Sequence, residues 1–264
     1  MNHVTPTEST VPHAGITGMD EWGPATYGDR IARYYDDLHG DRADTAEAVE
    51  RLATLAESGR VLELGIGTGR IALPLALRGL EIHGVDASEG MVEKLREKPG
   101  GDSIPVSISD FADLAVEGSF SLIFVVFNTF FDLMTQERQL RCFENVATRL
   151  APGGRFVVEA FVPDLSRFDR EQRVSATRVE LDWVLLETTV HRRHEQRIDS
   201  MQMRVREDGI QLSPIRLRYA FPSELDLMAR LAGLRLEARW GGWDRRPFSA
   251  DSAQHVSVYA RTDA

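Results

Sequence analysis

The sequence predicts a doubly wound α/β sheet with an antiparallel β cap inserted before the last helix. Three observations carry this. Between residues 60 and 161 short apolar runs alternate with helical patterns, the βαβα order that puts helices on both faces of a parallel sheet. The first run, Val61-Leu62-Glu63-Leu64, breaks into Gly65-Ile66-Gly67-Thr68-Gly69-Arg70, which reads as strand, tight turn and helix start. After Pro163 the residues become β-branched and alternating, as Met201, Met203 and Val205 do between polar neighbours.

Taken in order, Met1 to about Met19 lack periodicity and are rich in Thr, Pro, Ser and Gly, so residues 1–20 read as a flexible tail. The sheet domain is expected over 21–163 and 222–264, with the cap over 164–221. Tyr27 to Leu38 carries a helical pattern through Ile31, Tyr34, Tyr35 and Leu38. A second helix covers Thr45 to Glu57 and is stopped by Gly59. The strand Arg60 to Leu64, the glycine turn and a helix from Ile71 to Leu77 follow. Glu81 to Val85 is the second strand and delivers Asp86 at its carboxyl end; Ser88 then caps a helix through Met91, Val92 and Leu95. Ile104 to Ile108 leads to Asp110. Phe120 to Phe127 is a continuous apolar run, expected of a strand buried on both faces. A helix from Gln136 to Leu150, the turn Pro152-Gly153-Gly154 and a fifth strand, Arg155 to Phe161, complete the repeat. Cap strands are expected within Val174–Val190, Ile198–Arg206 and Ile210–Phe221, with Glu207-Asp208-Gly209 as a hairpin signal. A helix at Pro222 to Ala232 and strands at Leu234–Trp240 and His255–Ala260 close the chain.

Composition narrows the partners. With 264 residues, 42% apolar and 27% charged, the chain is ordinary for a soluble globular protein. It carries no apolar run long enough to span a bilayer and no charged-then-apolar leader pattern, so no membrane partner is expected. Its one cysteine, Cys142, falls in a helical pattern with Leu140, Phe143 and Val146, which reads as packing in a reducing, cytoplasmic setting. A formal charge of −10 argues against nucleic acid, and the arginines gathered between Arg192 and Arg218 read as the solvated face of a sheet, with a substrate-phosphate role as the sharper alternative. No His/Asp/Glu spacing suits a metal.

In such sheets ligands bind outside the carboxyl ends of the strands. Glu63 with the glycine turn, Asp86, Asp110 and Asn128 all fall at or near such ends. A dinucleotide fingerprint would need G-x-G-x-x-G. Here the spacing is G-x-G-x-G, Arg70 stands where the third glycine would be, and Glu63 would repel a pyrophosphate.

These residues resemble the class I S-adenosylmethionine-dependent methyltransferases. The resemblance rests on four motifs in order: Glu63-x-Gly65-x-Gly67-x-Gly69, then Gly84-Val85-Asp86-Ala87-Ser88 with Met91, then Ser109-Asp110-Phe111, then Leu150-Ala151-Pro152-Gly153-Gly154. It implies a seven-stranded sheet whose last strand is antiparallel, with S-adenosylmethionine as donor and S-adenosylhomocysteine as product. It further implies Asp86 on the ribose hydroxyls and Glu63, beside Arg70, at the methionine ammonium end. Asp110 and Phe111 would take the adenine edge, with Ala87 and Met91 packed on its ring. Tyr34 and Tyr35 would sit on a lid helix, where an aromatic face gains cation–π attraction to the sulfonium. Phe127 and Asn128 would be cofactor contacts that line the pocket between donor and acceptor.

For the acceptor, the nearest resemblance is to small-molecule enzymes of bacterial secondary metabolism, in particular amino-sugar N-methyltransferases. That implies a small-molecule amine, with transfer driven mainly by alignment and exclusion of water. Thr129, Phe131, Phe161, Trp243 and Arg245 are the expected acceptor contacts, Arg245 and Arg246 meeting an anionic substrate. Tyr34, Asp132, Glu159 and His191 are the titratable candidates for catalysis, although a histidine on a cap strand beside arginines reads as exposed. O- or C-methylation, a non-catalytic donor binder and a nicotinamide oxidoreductase are the alternatives. Exposed cap edges also invite a homodimer.

Overall fold

The structure, a computed structural model, describes residues 21–40, 42–168 and 172–262; the expected tail at 1–20 lies outside them. Seven strands, β1 (Val61–Leu64), β2 (Ile82–Asp86), β3 (Val106–Ile108), β4 (Phe120–Val125), β5 (Leu150–Phe161), β10 (Leu234–Trp240) and β11 (Gln254–Arg261), form one sheet in the order β10-β11-β5-β4-β1-β2-β3. Strands β1 to β5 pair in parallel, whereas β11 runs antiparallel to both β5 and β10. The chain reverses its direction of growth at β1, between β2 and β4, and the crevice opens there.

Helices cover both faces. Helices α3 (Thr45–Ala56), α4 (Ala72–Leu77) and α5 (Glu89–Arg96) pack through Val49, Leu52, Leu75 and Leu95 on one side. On the other, α6 (Gln136–Arg149) and α7 (Pro222–Leu231) bury Phe143, Val146, Leu225 and Met228 against Phe156 and Tyr259. Leu62, Leu122, Phe124 and Val157 are fully buried; each such side chain contributes about 1.5–3 kcal/mol over exposure. This rigid middle fixes where the strand tips end.

The elements depart from the sequence-based expectation at a few places. The first helix is broken into α1 (Thr26–Ile31), a 3₁₀ turn at Ala32–Tyr34, and α2 (Tyr35–His39). The break coincides with the Tyr34 hydroxyl reaching the cap, where it donates to the Leu212 carbonyl at 3.2 Å. The fifth strand starts at Leu150 rather than Arg155, because Phe120 pairs with Leu150 and Leu122 with Arg155; Ala151–Gly154 form an irregularity within the strand. The third strand starts at Val106, two residues later than expected. The stretch 174–190, expected to hold cap strands, holds parts of two.

Those two strands belong to the cap, a separate antiparallel sheet of β6 (Gln172–Val179), β7 (Trp183–Arg192), β8 (Arg197–Arg206) and β9 (Gly209–Arg218) in sequential order. The turn at Glu180–Asp182 holds no Gly, Pro or Asn and so left no signal. The cap's two faces differ sharply. Its outward rungs are Val174–Thr188–Met201–Pro214, Ala176–Leu186–Met203–Leu212 and Val179–Val184–Val205–Ile210. Its inward rungs include Arg173–Thr189–Ser200–Ile215 and Ser175–Glu187–Gln202–Ser213. The apolar side faces away from the core.

Candidate active site

At the tip of β1 the backbone turns through Gly65, Gly67 and Gly69, all at positive φ. The Gly65 and Ile66 amides donate to the Val85 carbonyl at 2.8 and 3.0 Å, tying the turn to β2. A Cβ at Gly65 would meet the Thr129 methyl at 2.5 Å, so this glycine is needed for packing. At Gly67 the space is open: nothing lies within 4 Å of a built Cβ. That opening, with a main-chain surface bare of side chains, is the cradle of a ligand site.

Asp86, at the end of β2, stands against this turn. Its Oδ2 accepts from the Gly67 amide at 2.7 Å and its Oδ1 from the Ser88 amide at 2.9 Å. Burial raises its pKa, opposed by those hydrogen bonds. A carboxylate offers about four acceptor positions, so two remain for the hydroxyls of a ribose. Glu63 is buried one strand away, and its Oε2 has no hydrogen-bond partner. Burial raises its pKa well above the usual range, with Arg70 opposing. An orphaned buried carboxylate oxygen fits an incoming ammonium.

The cleft around Asp86 is lined by Tyr27, Tyr35, Gly65, Gly67, Ala87, Met91, Asp110, Phe111, Thr129 and Asp132, and encloses about 70 Å³. A second part, about 20 Å³, runs past Glu63, Arg70 and Phe127. Tyr35 lines both. Drug-sized ligands occupy about 300 Å³ or more, so the strap carrying Tyr35 must shift for an adenosyl group to enter. The strap is latched by polar contacts. Ser88 Oγ donates to Asp29 at 2.6 Å, Thr68 Oγ1 to Asp36 at 2.6 Å, and Lys98 Nζ pairs with Asp36 at 2.7 Å. The His39 ring stands between Tyr35 and Phe127, 5.0 and 5.1 Å from each. Burial, with Arg42 and Arg70 nearby, pushes His39 down to about 4, so it packs as a neutral ring.

Asp110 reaches the cleft but is partly engaged: Oδ1 accepts from the Ala112 amide at 2.8 Å and Oδ2 pairs with Arg138. Asp132 is the unusual acid here. It lies in the 3₁₀ turn Thr129–Asp132 with an edge open to the cleft, yet burial, and secondarily Asp86, pushes its pKa up to about 8. Tyr27 has its pKa raised well above normal by burial and stays a phenol, as does Tyr35, pushed up to about 12.

Several expected site residues sit elsewhere. Tyr34 lines neither part of the cleft, its hydroxyl being taken by Leu212. Asn128, at φ 66°, uses its Oδ1 to accept from the Phe161 amide at 2.7 Å and ties the β4 and β5 tips together. Glu159 accepts from the Phe127 amide at 3.0 Å and holds that turn. Phe131 is fully buried against Phe130 and Phe161. Trp243 is 3% exposed within the α3–α4 layer, and Arg245 stacks over Trp240 at 5.2 Å. His191 is not exposed but buried, 3.0 Å from the Tyr219 hydroxyl, with burial lowering its pKa. Five residues lining the cleft around Asp86 were not expected as site residues: Pro24, Tyr27, Gly28, Ser88 and Leu133. Tyr27 left a trace, as an aromatic four residues before Ile31 on the first helical pattern.

A doubly wound sheet with a glycine turn, a buried orphaned carboxylate and a second carboxylate hydrogen-bonded to that turn, at two adjoining strand tips, has the makings of a nucleoside-type ligand site. The comparisons agree. Residues 61–154 match the family model described as a methyltransferase domain. The CcbJ methyltransferase from Streptomyces caelestis is 41% identical, with 92% of this chain and all of that one aligned and a TM-score of 0.87. A cypemycin N-terminal methyltransferase from a Streptomyces species is 28% identical over 76% of this chain and 82% of its own length. The fold is shared at 20% identity by the S-adenosylmethionine-bound CalS10, an amino pentose methyltransferase from Micromonospora echinaspora, covering 87% and 97% of the two chains with a TM-score of 0.66. The chain belongs to the class I S-adenosylmethionine-dependent methyltransferases, of the small-molecule type found in secondary metabolism. No helix among the described residues is long and apolar enough to cross a membrane, and no described group of acids, histidines or cysteines could hold a metal ion.

Proposed function

We propose that the enzyme methylates an amine nitrogen of a small secondary metabolite. The bound donor supplies an electrophilic methyl on a sulfonium; Asp86, Glu63 and the Gly67 backbone would hold it, with Phe111, Ala87 and Met91 about the adenine. The observation that carries the choice of nitrogen is Asp132. It is the titratable side chain of the cleft whose value, about 8, matches proton uptake from an ammonium or newly formed alkylammonium near neutrality. Tyr27 and Tyr35 hold their protons too tightly to serve as bases. His39 is packed between rings and His191 sits behind the cap. An alkoxide or carbanion nucleophile needs a stronger base than this site offers. The relatives named for N-methylation support the same choice.

The test is a mass-shift assay with matched acceptors that differ only in carrying an amine, a hydroxyl or an activated carbon. Gain of one methyl by the amine alone is expected; exclusive methylation of the hydroxyl or carbon partner would refute the reading.

The cap is also read as the seat of a homodimer. Its outward rungs are apolar, with Val174, Val179, Ile210 and Leu212 exposed. The acid on that face, Asp199, is ringed by Arg192, Arg197 and Arg216. Four strands of this length project about 600 Å², of the order of the roughly 800 Å² per partner in stable pairs. A cytoplasmic setting belongs to the same reading, with Cys142 a buried free thiol.

A further inference from the structure

Beyond the donor cleft lies a larger cavity, of about 520 Å³, between the cap's inward face, the segment after β5 and the loop at 250–253. It neighbours the donor site through one turn. Thr129 and Asp132 line the cleft, while Phe131 from the same turn stacks at 5.0 Å on Phe161, which lines the chamber. The volume falls within the range of small-molecule sites.

The lining states what it would accept. Phe161, Ile198, Ile215 and Leu217 give an apolar wall. On the same cap face as Ile198, Ile215 and Leu217, Ser200 and Thr189 line the chamber, their hydroxyls 3.1 Å apart, with Ser175 beside them. Glu187 stands among them on the cap's inward face, half-buried, and forms no hydrogen bond or ion pair with any described residue. Among the described residues the chamber has three acids, Asp164, Glu187 and Asp251, against two guanidiniums, Arg167 and Arg173. Arg173 already donates to the Arg167 carbonyl at 2.8 Å.

Several other described arginines near the cap are engaged elsewhere, while Arg193 donates to the carbonyl of the lining residue Phe168 at 2.8 Å. Arg192, Arg197 and Arg216 surround Asp199 on the outward face. Arg218 is bound to Glu224 and Gln139, Arg178 and Arg204 flank the Trp183 ring, and Arg246 pairs with Asp244. Among the described residues the acids of the lining thus outnumber its guanidiniums, a balance that disfavours a diphosphate.

We propose that this chamber holds the body of the acceptor, and that the acceptor is an uncharged or cationic amphiphile taken free, not linked to a nucleoside diphosphate. Its alkyl part lies on Phe161, Ile215 and Leu217, its hydroxyl or amide groups meet Ser200 and Thr189, and an ammonium is drawn to Glu187. The proposal rests on the amine-methylation reading, because the nitrogen must extend from this body past Thr129 toward the donor.

The experiment is calorimetric titration of the protein saturated with S-adenosylhomocysteine. Three probes are compared, each below any micelle threshold: hexyl β-glucoside, hexyl β-glucosaminide and thymidine diphosphate. Both glycosides are expected to bind, the amino sugar several-fold more tightly, with no measurable binding of the diphosphate. Glu187→Gln should abolish the preference for the amino sugar, and Ile215→Trp, which fills the chamber, should weaken both glycosides at least tenfold. Affinity for S-adenosylhomocysteine, measured on the same samples, should be unchanged in both variants, which shows that they are folded. Tighter binding of the diphosphate than of either glycoside, glycoside binding that Ile215→Trp leaves intact, or no glycoside binding at all would overturn the proposal. Failure of the wild-type protein to bind S-adenosylhomocysteine would instead sink the methyltransferase reading beneath it.

Discussion

Asp132 and Phe131 are neighbours in one 3₁₀ turn, yet one borders the donor cleft and the other is sealed in the core. Such a turn has no period from which a sequence can say which side chain points inward. Glu63 and Asp86 were legible because each closes an apolar strand, where alternation and polarity conflict unless a ligand is met. Asp132 carries a pH prediction. Its folded-state pKa of about 8 lies above the ordinary carboxylate value of about 4. The stability it contributes is therefore full below pH 4 and is lost as pH rises through about 8. A bound cation favours the ionised form, so affinity for S-adenosylmethionine should rise about tenfold from pH 6.5 to 8.5. Asp132→Asn should flatten that rise in calorimetric titrations; an unchanged slope would remove Asp132 from the account.

The N-terminal strap is the element whose behaviour the sequence hid. Its helical pattern predicted one helix, but the segment is split so that Tyr34 meets the cap and Tyr35 the cleft. Long-range contacts decide this, and local periodicity carries no trace of them. The strap's latch at Asp36, shared by Thr68 and Lys98, sets how readily the cleft opens. Asp36→Ala is expected to speed donor association several-fold and to increase hydrogen exchange over residues 26–40 in the free protein. Exchange that stays at the wild-type level would mean that the contacts at Asp29, Tyr34 and His39 hold the strap without Asp36. The cap was readable as antiparallel from its alternation and from Glu207-Asp208-Gly209, whose first two residues join β8 to β9. Its orientation was not readable: alternation gives two faces without saying that the polar one, with Glu187 and Ser200, turns inward.

For the whole molecule, an inverted cap of this kind needs its apolar rungs covered. Leu186 and Met203 are cross-strand neighbours at the middle of that face. Replacing both with lysine should convert a dimer to a monomer in light scattering while leaving donor binding intact; a wild-type protein that is monomeric at micromolar concentration would contradict the dimer. The order of strands, the crevice at their reversal and the carboxylates at their tips are one arrangement, and the four ordered motifs announced it before the coordinates did. The acceptor chamber was not announced, because Phe161, Glu187 and Ala250–Ala253 meet only through tertiary folding.

The most direct measurement is calorimetric titration of S-adenosylmethionine into the wild-type protein and Asp86→Ala. The two ribose hydrogen bonds assigned to Asp86 correspond to about 1.5–3 kcal/mol, so the variant should bind roughly 10- to 150-fold more weakly, with NADH binding neither protein. Equal affinity of the two proteins for the donor would contradict the adenosyl cradle at the strand tips.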